Sequence, residues 1–570
     1  MTGTKLVYNS SMNWRYRFTL LFFLIFFLLI ITRLFYWQVV RAQELSAIGQ
    51  AQYDQQVVSP AQRGEIETSD GFAIAANKLA YLVYANPKVV KNKKEESDVL
   101  GKLLDIKSAT VSAMLSENEF WVPIKSGVDN TIKEKIAAKN FPGVGFEEQT
   151  VRFYPEASMA AQLLGFVGKD ENGNDQGYFG LEGYYNQQLS GKDGYAIVVH
   201  DAGGHPILAK MNNSTVKVDG RTLILHIDRR IQYMLDTELK KGIQTYGAKT
   251  GMAAVMDPKT GAILAMSSFP TFDPTNYQKY SDSLYLNPFI TSTYEPGSTF
   301  KPIIMSAAMN AGLIQPNTEC NICNGPVSIG GYQIHTWNDQ YFPNTTMTDV
   351  IVHSDNTGMA FVGEKLGLDR MLDYLNRFGI GQDTGIDLQG EEAPELHPKN
   401  EWYPIDVVTA SFGQGIVATP IELLDAVGAI ANNGKRMEPQ VVAAVQTADG
   451  QTIPIQPKEI DQPISATSAQ VMTQIMVDAA NEGEASFARL KGYNIAGKTG
   501  TASIPVAGHY DPTKTIASFV GFGPAENPRF VMIVILNQPS ASIWGSETAA
   551  PVFYAVAKDI LTYYGIPPSQ

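Results

Sequence analysis

The sequence is poor in cysteine and histidine, the residues that form disulfide-stabilised folds and many metal centres. Only two of its 570 residues are cysteine, so a disulfide framework does not hold the fold together. The seven histidines include no HxxxH pair, which argues against a histidine-built metal centre, and we expect neither a metal nor a cofactor. Basic residues are outnumbered 57 to 44 by acidic ones. The resulting net charge of -13 argues against nucleic acid as the main partner.

Long apolar runs are also scarce, and the one clear run lies near the amino end. Residues 18–40 are almost entirely apolar and are numerous enough to cross a bilayer as a helix. Basic residues and no acidic ones precede this run, which predicts a cytoplasmic amino end. A cleaved signal peptide is the alternative, but no A-x-A site follows, and Tyr36 and Trp37 are typical of an anchor's outer interface. We therefore expect a cytoplasmic tail over 1–17, an anchor over 18–40 and an extracytoplasmic remainder.

The remainder divides into two blocks. The first, 41–230, has short strand-like runs broken by Gly and Pro, with small helices over 94–137. The second, 231–570, has two β-hairpins, several helices and a terminal helix. The first hairpin is predicted at Ala253–Met256 with Ala262–Met266, and the second at Ala517–Phe522 with Phe530–Leu536. Helices are predicted at 357–377 and 420–433, and the terminal helix from Pro551 onward. Strands at both ends of a block with helices between them predict an α+β fold, with an antiparallel sheet covered by helices.

A candidate nucleophile lies in the string YEPGSTFKP at 294–302, directly before an apolar helical run. Pro302 is tolerated only in the first turn of a helix, so the helix begins near Ser298. Ser298 then lies at the positive end of the helix dipole, and Lys301 lies on the same face. A serine nucleophile and a lysine base require this geometry, provided that burial or a nearby cation keeps the lysine neutral. Alone the match is weak, because a capping serine and a surface lysine give the same string.

Two further strings strengthen the prediction. They are S-D-N, formed by Ser354, Asp355 and Asn356 on a predicted loop, and K-T-G-T, formed by Lys498, Thr499, Gly500 and Thr501 on a predicted strand. Gly500 has no side chain, so we expect a ligand backbone to lie directly against that strand. The order S-x-x-K, S-D-N and K-T-G is typical of penicillin-binding proteins and class A β-lactamases.

With these motifs the chain resembles a class B penicillin-binding protein, a monofunctional D,D-transpeptidase of bacterial cell-wall synthesis. Other segments similar to landmarks of that family are RGEI at 63–66, RFYP at 152–155, GLE at 180–182, DPKTG at 257–261 and SFGQG at 411–415. The resemblance implies a non-catalytic pedestal of the dimerisation type over 41–230. It also implies a penicillin-binding, serine β-lactamase-like transpeptidase domain over 231–570. The spacing of the motifs looks more like the septal, division type than the elongation type.

The resemblance also implies a role for each motif residue. The implied catalytic set is Ser298, Lys301, Ser354, Asn356 and Lys498, and the implied substrate-binding set is Thr499, Gly500 and Thr501. Ser298 attacks the D-Ala–D-Ala carbonyl and Lys301 takes its proton. Ser354 relays a proton to the leaving amine, and Asn356 holds the peptide amide. Lys498 faces the terminal carboxylate and helps to lower the pKa of Lys301. Asp355 turns its loop without touching substrate.

The implied partners are peptidoglycan stem peptides, lipid-linked precursor strands and β-lactam antibiotics. A membrane glycosyltransferase of the SEDS class and other division proteins are implied as well. Three alternatives stay open at this point: a D,D-carboxypeptidase, a β-lactamase using the same residues, and a membrane-anchored β-lactam sensor or scaffold without turnover. Cys320 and Cys323 form either a local disulfide or two idle thiols. His353 is not expected to act in catalysis, because sequence neighbours on a loop rarely face each other.

Overall fold

The structure is a computed structural model that describes residues 10–156, 158–199, 215–506 and 509–568. Its helices are α1 (Ser10–Phe35), α2 (Ala42–Tyr53), α3 (Lys93–Leu104), α4 (Ser108–Met114), α5 (Asn130–Ala137), α6 (Ala161–Leu164), α7 (Gly180–Tyr184), α8 (Asn186–Ser190), α9 (Arg229–Tyr246), α10 (Pro288–Thr291), α11 (Lys301–Asn310), α12 (Met347–Val352), α13 (Asn356–Phe378), α14 (Pro404–Ser411), α15 (Pro420–Ala431), α16 (Ala466–Glu482) and α17 (Ala549–Tyr563).

Its strands are β1 (Asp54–Ser59), β2 (Ile66–Glu67), β3 (Ala73–Ala85), β4 (Val122–Val128), β5 (Val144–Phe153), β6 (Phe166–Lys169), β7 (Asp175–Tyr178), β8 (Gly194–Val199), β9 (Thr222–Leu225), β10 (Thr250–Met256), β11 (Ile263–Phe269), β12 (Val327–Ile329), β13 (Tyr332–Ile334), β14 (Arg436–Met437), β15 (Val442–Gln446), β16 (Thr452–Pro454), β17 (Glu459–Asp461), β18 (Ala496–Val506), β19 (His509–Gly523) and β20 (Phe530–Asn537).

A first unit combines residues 1–61 and 192–218. Within it, the helical segment Trp14–Val40 has 27 residues and a mean hydropathy of 2.6. The residues of its most apolar stretch are not buried against the rest of the protein. That length and composition suffice to cross a membrane. Strands β1 and β8 pair antiparallel in the same unit.

The second unit contains a five-stranded antiparallel sheet in the order β11-β10-β20-β19-β18. Both predicted hairpins are confirmed: β10 pairs with β11, and β19 pairs with β20. The turn of the first hairpin is closed by the Asp257 carboxylate, which accepts a hydrogen bond of 2.9 Å from the Lys259 N–H. Strand β18 lies at the edge of the sheet, so alternate backbone groups along it are left without a strand partner.

Helices cover both faces of this sheet, and the alternation of side chains along its strands explains why. On β20, Val531 and Ile533 pack with one hydrophobic cluster, whereas Met532 and Val534 pack with the other. Successive side chains of a strand point to opposite faces of the sheet. A continuous run of apolar residues therefore indicates a strand that is buried on both faces. Helices α9 and α17 contribute to one cluster, and α11, α13, α15 and α16 contribute to the other.

The predicted helices are present with small shifts at their ends. The segments expected at 357–377 and 420–433 are α13 and α15, and the small helices expected over 94–137 are α3, α4 and α5. Helix α17 begins at Ala549, two residues before the expected Pro551. The predicted face of α17 is buried through Val552, Val556 and Ile560.

A second sheet joins segments that are far apart in the chain. Its order is β16-β15-β9-β2-β3-β4, and β5 also pairs with β3. Strand β2 is parallel to β9, and β9 is antiparallel to β15. Strands β15 and β16 therefore complete a sheet whose other members precede residue 230. These long-range pairings tie the amino-terminal half of the unit to the half that carries the three motifs.

Candidate active site

Ser298 lies in a one-turn 3-10 helix, Gly297–Phe300, that continues directly into α11. The predicted start of the helix is therefore confirmed, with Pro302 in the first turn of α11. The preceding Gly297 has a φ of +57° and donates a backbone hydrogen bond of 2.9 Å to the Gly413 carbonyl. This left-handed geometry favours glycine. The Ser298 side chain lines an open cavity of about 320 Å³.

Ser354 lies on the short loop between α12 and α13, as predicted for the S-D-N string. Its hydroxyl donates a hydrogen bond of 3.0 Å to the Ser298 hydroxyl. Its backbone has a φ of +56°, an uncommon conformation for a residue other than glycine, and such conformations cluster at functional sites. Asp355 caps α13 by accepting hydrogen bonds from the Thr357 and Gly358 N–H groups. This is the loop role predicted for Asp355.

Lys301 is completely buried and donates three hydrogen bonds into this loop. Its Nζ lies 2.6 Å from the Ser354 carbonyl, 2.8 Å from Asn356 Oδ1 and 3.3 Å from Ser354 Oγ. Ser354 Oγ thus lies within hydrogen-bond distance of both Lys301 and Ser298. Burial, and then the positive charge of Lys498, lower the pKa of Lys301 to about 7. Lys301 is therefore neutral in a large fraction of molecules near neutral pH.

The third motif lies on the edge strand β18, and its residues alternate between two directions. Thr499 and Thr501 line the cavity together with Ser298. Lys498 is buried, and its Nζ donates a hydrogen bond of 3.0 Å to Thr499 Oγ1. Burial lowers the pKa of Lys498. The structure therefore brings all three sequence motifs to one cavity.

Gly500 occupies the opposite side of β18, and the structure shows a packing reason for its lack of a side chain. A Cβ at this position would lie 2.4 Å from Ser518 Oγ, 2.8 Å from Thr299 Cγ2 and 3.2 Å from the Pro296 carbonyl. The missing side chain thus lets β18 approach the segment that carries Ser298. That a ligand backbone lies along β18 at Gly500 stays a prediction.

Comparison with known families identifies the two modules of the chain. Residues 251–558 match the family described as the penicillin binding protein transpeptidase domain, and residues 58–225 match the penicillin-binding protein dimerisation domain. The chain belongs to the class B penicillin-binding proteins.

Relatives of this penicillin-binding protein match it along almost its whole length. Stage V sporulation protein D of Bacillus subtilis is 33% identical over 99% of this chain and 88% of its own. The probable peptidoglycan D,D-transpeptidase PenA of Neisseria meningitidis serogroup A is 28% identical over 98% of this chain and 94% of its own. The crystal structure of a peptidoglycan synthetase from Bifidobacterium adolescentis aligns with a TM-score of 0.73 at 28% identity, covering 91% of this chain and 98% of that one. The predicted fold class is confirmed.

We expect Gly500→Ala to slow the acylation of this penicillin-binding protein and to destabilise it. The new methyl group would push β18 away from Thr299, the neighbour of Ser298. Overpacking of this kind costs roughly 1–3 kcal/mol. Stopped-flow acylation by a chromogenic β-lactam and thermal melting measure the two effects. Gly325→Ala is the matched control, because nothing lies within 4 Å of a Cβ at Gly325. Equal acylation rates for both variants would contradict the packing role of Gly500.

Sequence reasoning missed one acidic residue of the site. Glu484 follows the end of α16, and its Oε2 accepts a hydrogen bond of 3.0 Å from Thr499 Oγ1. Burial lowers the pKa of Lys498, whereas the negative charge of Glu484 raises it and so offsets part of that shift. A lone glutamate 14 residues before the K-T-G string matches no motif. Only the packing of the α16 end against β18 reveals it.

Two aromatic residues were missed as well. Trp337 and Trp544 line the cavity, and their rings meet edge to face with centroids 5.1 Å apart. They are separated by more than 200 positions in the chain, and sequence alone does not indicate that they meet.

The remaining sequence candidates have structural roles. Cys320 and Cys323 form a disulfide, which is one of the two predicted alternatives. The ring of His353 stacks on Phe342 at 4.9 Å.

Proposed function

We propose that Ser298 is the nucleophile of this enzyme and that Lys301 is its base, acting through Ser354. The observation that carries the proposal is the hydrogen-bonded chain Lys301–Ser354–Ser298, together with a Lys301 pKa of about 7. When Lys301 is neutral, Ser298 gives its proton to Ser354 as it attacks, and Ser354 passes its own proton to Lys301. A base whose pKa lies near the working pH is the most effective one.

We further propose that β18 and the S-D-N loop hold the donor peptide. Lys498, Thr499 and Thr501 bind its terminal carboxylate, since a buried cation beside two hydroxyl groups suits an anion. Gly500 lies between the two threonines and contributes backbone only. Asn356 orients the peptide amide.

The backbone N–H groups of Ser298 and Thr501 form the proposed oxyanion hole. Each such donor contributes about 2.7–4 kcal/mol to transition-state stabilisation when measured by removal.

The chain is a serine-type D-Ala–D-Ala transpeptidase of peptidoglycan synthesis. In the proposed reaction, Ser298 Oγ attacks the carbonyl between the two D-alanines. The terminal D-alanine leaves with a proton from Ser354, and an acyl-enzyme remains. The amine of a neighbouring stem peptide then displaces Ser298 and completes a cross-link. A β-lactam carbonyl enters the same cavity and leaves the serine acylated.

We propose the domain limits 1–17 for a cytoplasmic tail, 18–40 for the anchor, 41–230 for the pedestal and 231–570 for the transpeptidase domain. The basic residues before the anchor support a cytoplasmic amino end. The protease accessibility of tags at either end of the chain in intact cells tests this orientation. Lipid-linked precursor strands supply the donor, and we propose a SEDS-class glycosyltransferase and division proteins as membrane partners. Co-purification of the full chain with such a polymerase tests that part.

The full chain in detergent micelles should convert a stem pentapeptide substrate that carries a free amine into a cross-linked dimer with release of D-alanine. Mass spectrometry of the products measures this. The same preparation without an amine acceptor gives the hydrolysis background. A tetrapeptide as the dominant product, even with abundant acceptor, would favour the carboxypeptidase alternative. Rapid penicillin hydrolysis without a lasting adduct would favour the β-lactamase alternative.

A further inference from the structure

In the structure, the hydroxyl group of Thr499 gives its only proton to Glu484. A threonine hydroxyl has one proton to donate and can accept two hydrogen bonds. Thr499 Oγ1 accepts a hydrogen bond of 3.0 Å from Lys498 Nζ and donates one of 3.0 Å to Glu484 Oε2. Lys498 and Glu484 are therefore connected through this one hydroxyl group. While that arrangement lasts, Thr499 has no proton to give to a second acceptor.

The other threonine of the K-T-G-T string is bonded in the opposite sense. Thr501 Oγ1 accepts a hydrogen bond of 3.0 Å from the Gly545 N–H. Among the residues that the structure describes, it donates its own proton to none. Both threonines line the cavity that contains Ser298. Thr501 is thus ready to donate to an anion in this cavity, whereas Thr499 must first release Glu484.

The backbone on either side of Glu484 is closely packed. Gly483 caps the end of α16, and a Cβ there would lie 2.8 Å from the Val352 carbonyl oxygen. Ala485 is buried in one of the two hydrophobic clusters that cover the five-stranded sheet. Glu484 itself is only partly buried, and it lines the cavity that contains Ser298. The packing therefore fixes where this residue lies and leaves its partly exposed side chain able to rotate.

A second cavity gives a displaced Glu484 side chain access to water. Its volume is about 410 Å³, and it is open to solvent. It adjoins the cavity that contains Ser298, because Trp337, Glu484 and Trp544 line both. Rotation of the Glu484 side chain can therefore move its carboxylate away from Thr499 and into water. A carboxylate that turns into water stays solvated, so leaving Thr499 costs about one hydrogen bond.

The donor peptide presents to Thr499 the same chemical group as Glu484 does. The terminal carboxylate of D-Ala–D-Ala, like the carboxylate of a penicillin, is an anion that accepts hydrogen bonds. We propose that Glu484 competes with this carboxylate for the Thr499 proton and thereby limits the preference of the enzyme for anionic donors. The hydrogen bond to Glu484 must break before Thr499 binds the donor, and the two negative charges repel each other. The inference rests on the proposed binding of the donor carboxylate by Lys498, Thr499 and Thr501.

The test compares benzylpenicillin with its methyl ester, which lacks the negative charge. Each compound acylates the full chain in detergent micelles at pH 8, above the pKa of about 7 of Lys301. Intact mass spectrometry at successive times gives the second-order rate constant of acylation for each compound. For Glu484→Gln we expect the constant for benzylpenicillin to rise about threefold to tenfold, because a competing anionic acceptor is removed. The constant for the methyl ester should stay the same.

Glu482→Gln is the matched control. Glu482 is exposed, lies two positions before Glu484, and lines the second cavity but not the one that contains Ser298. Removing its charge should change both rate constants by less than about twofold. An effect of Glu484→Gln no larger than that of the control, or an equal rise for both compounds, would overturn the competition. A fall for benzylpenicillin would overturn it as well, because Glu484 would then act mainly by keeping Lys498 charged.

Thr499→Val separates this inference from the proposed function on which it rests. The substitution removes the hydroxyl group for which the two carboxylates compete and keeps a similar volume. It should lower the preference for benzylpenicillin over the ester, and adding Glu484→Gln to it should then have little further effect. An unchanged preference in Thr499→Val would overturn the proposed carboxylate site of the K-T-G-T string. A lowered preference, with no effect of Glu484→Gln on the otherwise wild-type enzyme, would overturn the competition alone.

Discussion

Ser298→Ala is expected to abolish the covalent penicillin adduct. The substitution removes the Ser298 hydroxyl, which lines the cavity from the 3-10 turn before α11. It leaves Lys301 and Ser354 hydrogen-bonded to each other, so the fold around the site should persist. Intact mass spectrometry of the full chain after incubation with benzylpenicillin measures the adduct, and circular dichroism checks the fold. We expect complete acylation of the wild-type enzyme and none of the variant.

Ser306→Ala is the matched control for this loss. Ser306 lies on the same helix, is fully buried, and donates its hydroxyl to the Ile303 carbonyl within one turn. It does not line the cavity, so its removal should leave labelling intact. An adduct that survives in Ser298→Ala would identify another nucleophile. Ser354 would be the first candidate, because its hydroxyl faces the same space.

The sequence predicted those parts of the fold that depend on local patterns. The Asp257–Gly261 turn and the apolar runs on either side of it specify a hairpin without reference to the rest of the chain. Helices α13 and α15 were predicted within two residues at each end. The pairing of β9 with β15 was not predictable, because more than 200 residues separate the two strands. Such pairings are decided by the packing of the whole unit.

The residues of the site also fall into two groups, those predictable from local sequence patterns and those that depend on tertiary contacts. S-x-x-K places Ser298 and Lys301 through the geometry of one helix, so local rules suffice. The sequence showed that Gly500 lacks a side chain on a strand of the site. It did not show that Thr299 and Ser518 pack against the position where a Cβ would lie. Glu484 was not predicted as a site residue, because only its hydrogen bond with Thr499 in the folded structure places it at the site. Chemistry carried by short motifs is predictable, and chemistry carried by tertiary contacts is not.

The rate of acylation is expected to rise with pH and to level off above about pH 7. The base must be neutral to accept a proton, and the pKa of Lys301 is lowered to about 7. Below that value Lys301 is protonated and inactive, whereas above it the neutral form dominates and the rate no longer depends on its titration. Lys301→Met should reduce the plateau rate by roughly 10²–10⁴-fold and remove this limb. The second-order rate constant for a chromogenic β-lactam, measured from pH 5 to 9 (about two units on either side of the expected midpoint), tests both expectations.

Two neighbouring charges should move the midpoint of that limb in opposite directions. The cation of Lys498 disfavours a second cation nearby and lowers the pKa of Lys301, so Lys498→Met should shift the limb to higher pH. The carboxylate of Glu484 acts in the opposite sense, so Glu484→Gln should shift it to lower pH. Both substitutions also change contacts to Thr499, which alters the plateau rate but not the sign of the shift. Because the midpoint is read separately from the plateau, loss of substrate binding and loss of electrostatic tuning are distinguished. Shifts in the same direction for both variants would show that a group other than Lys301 controls acylation.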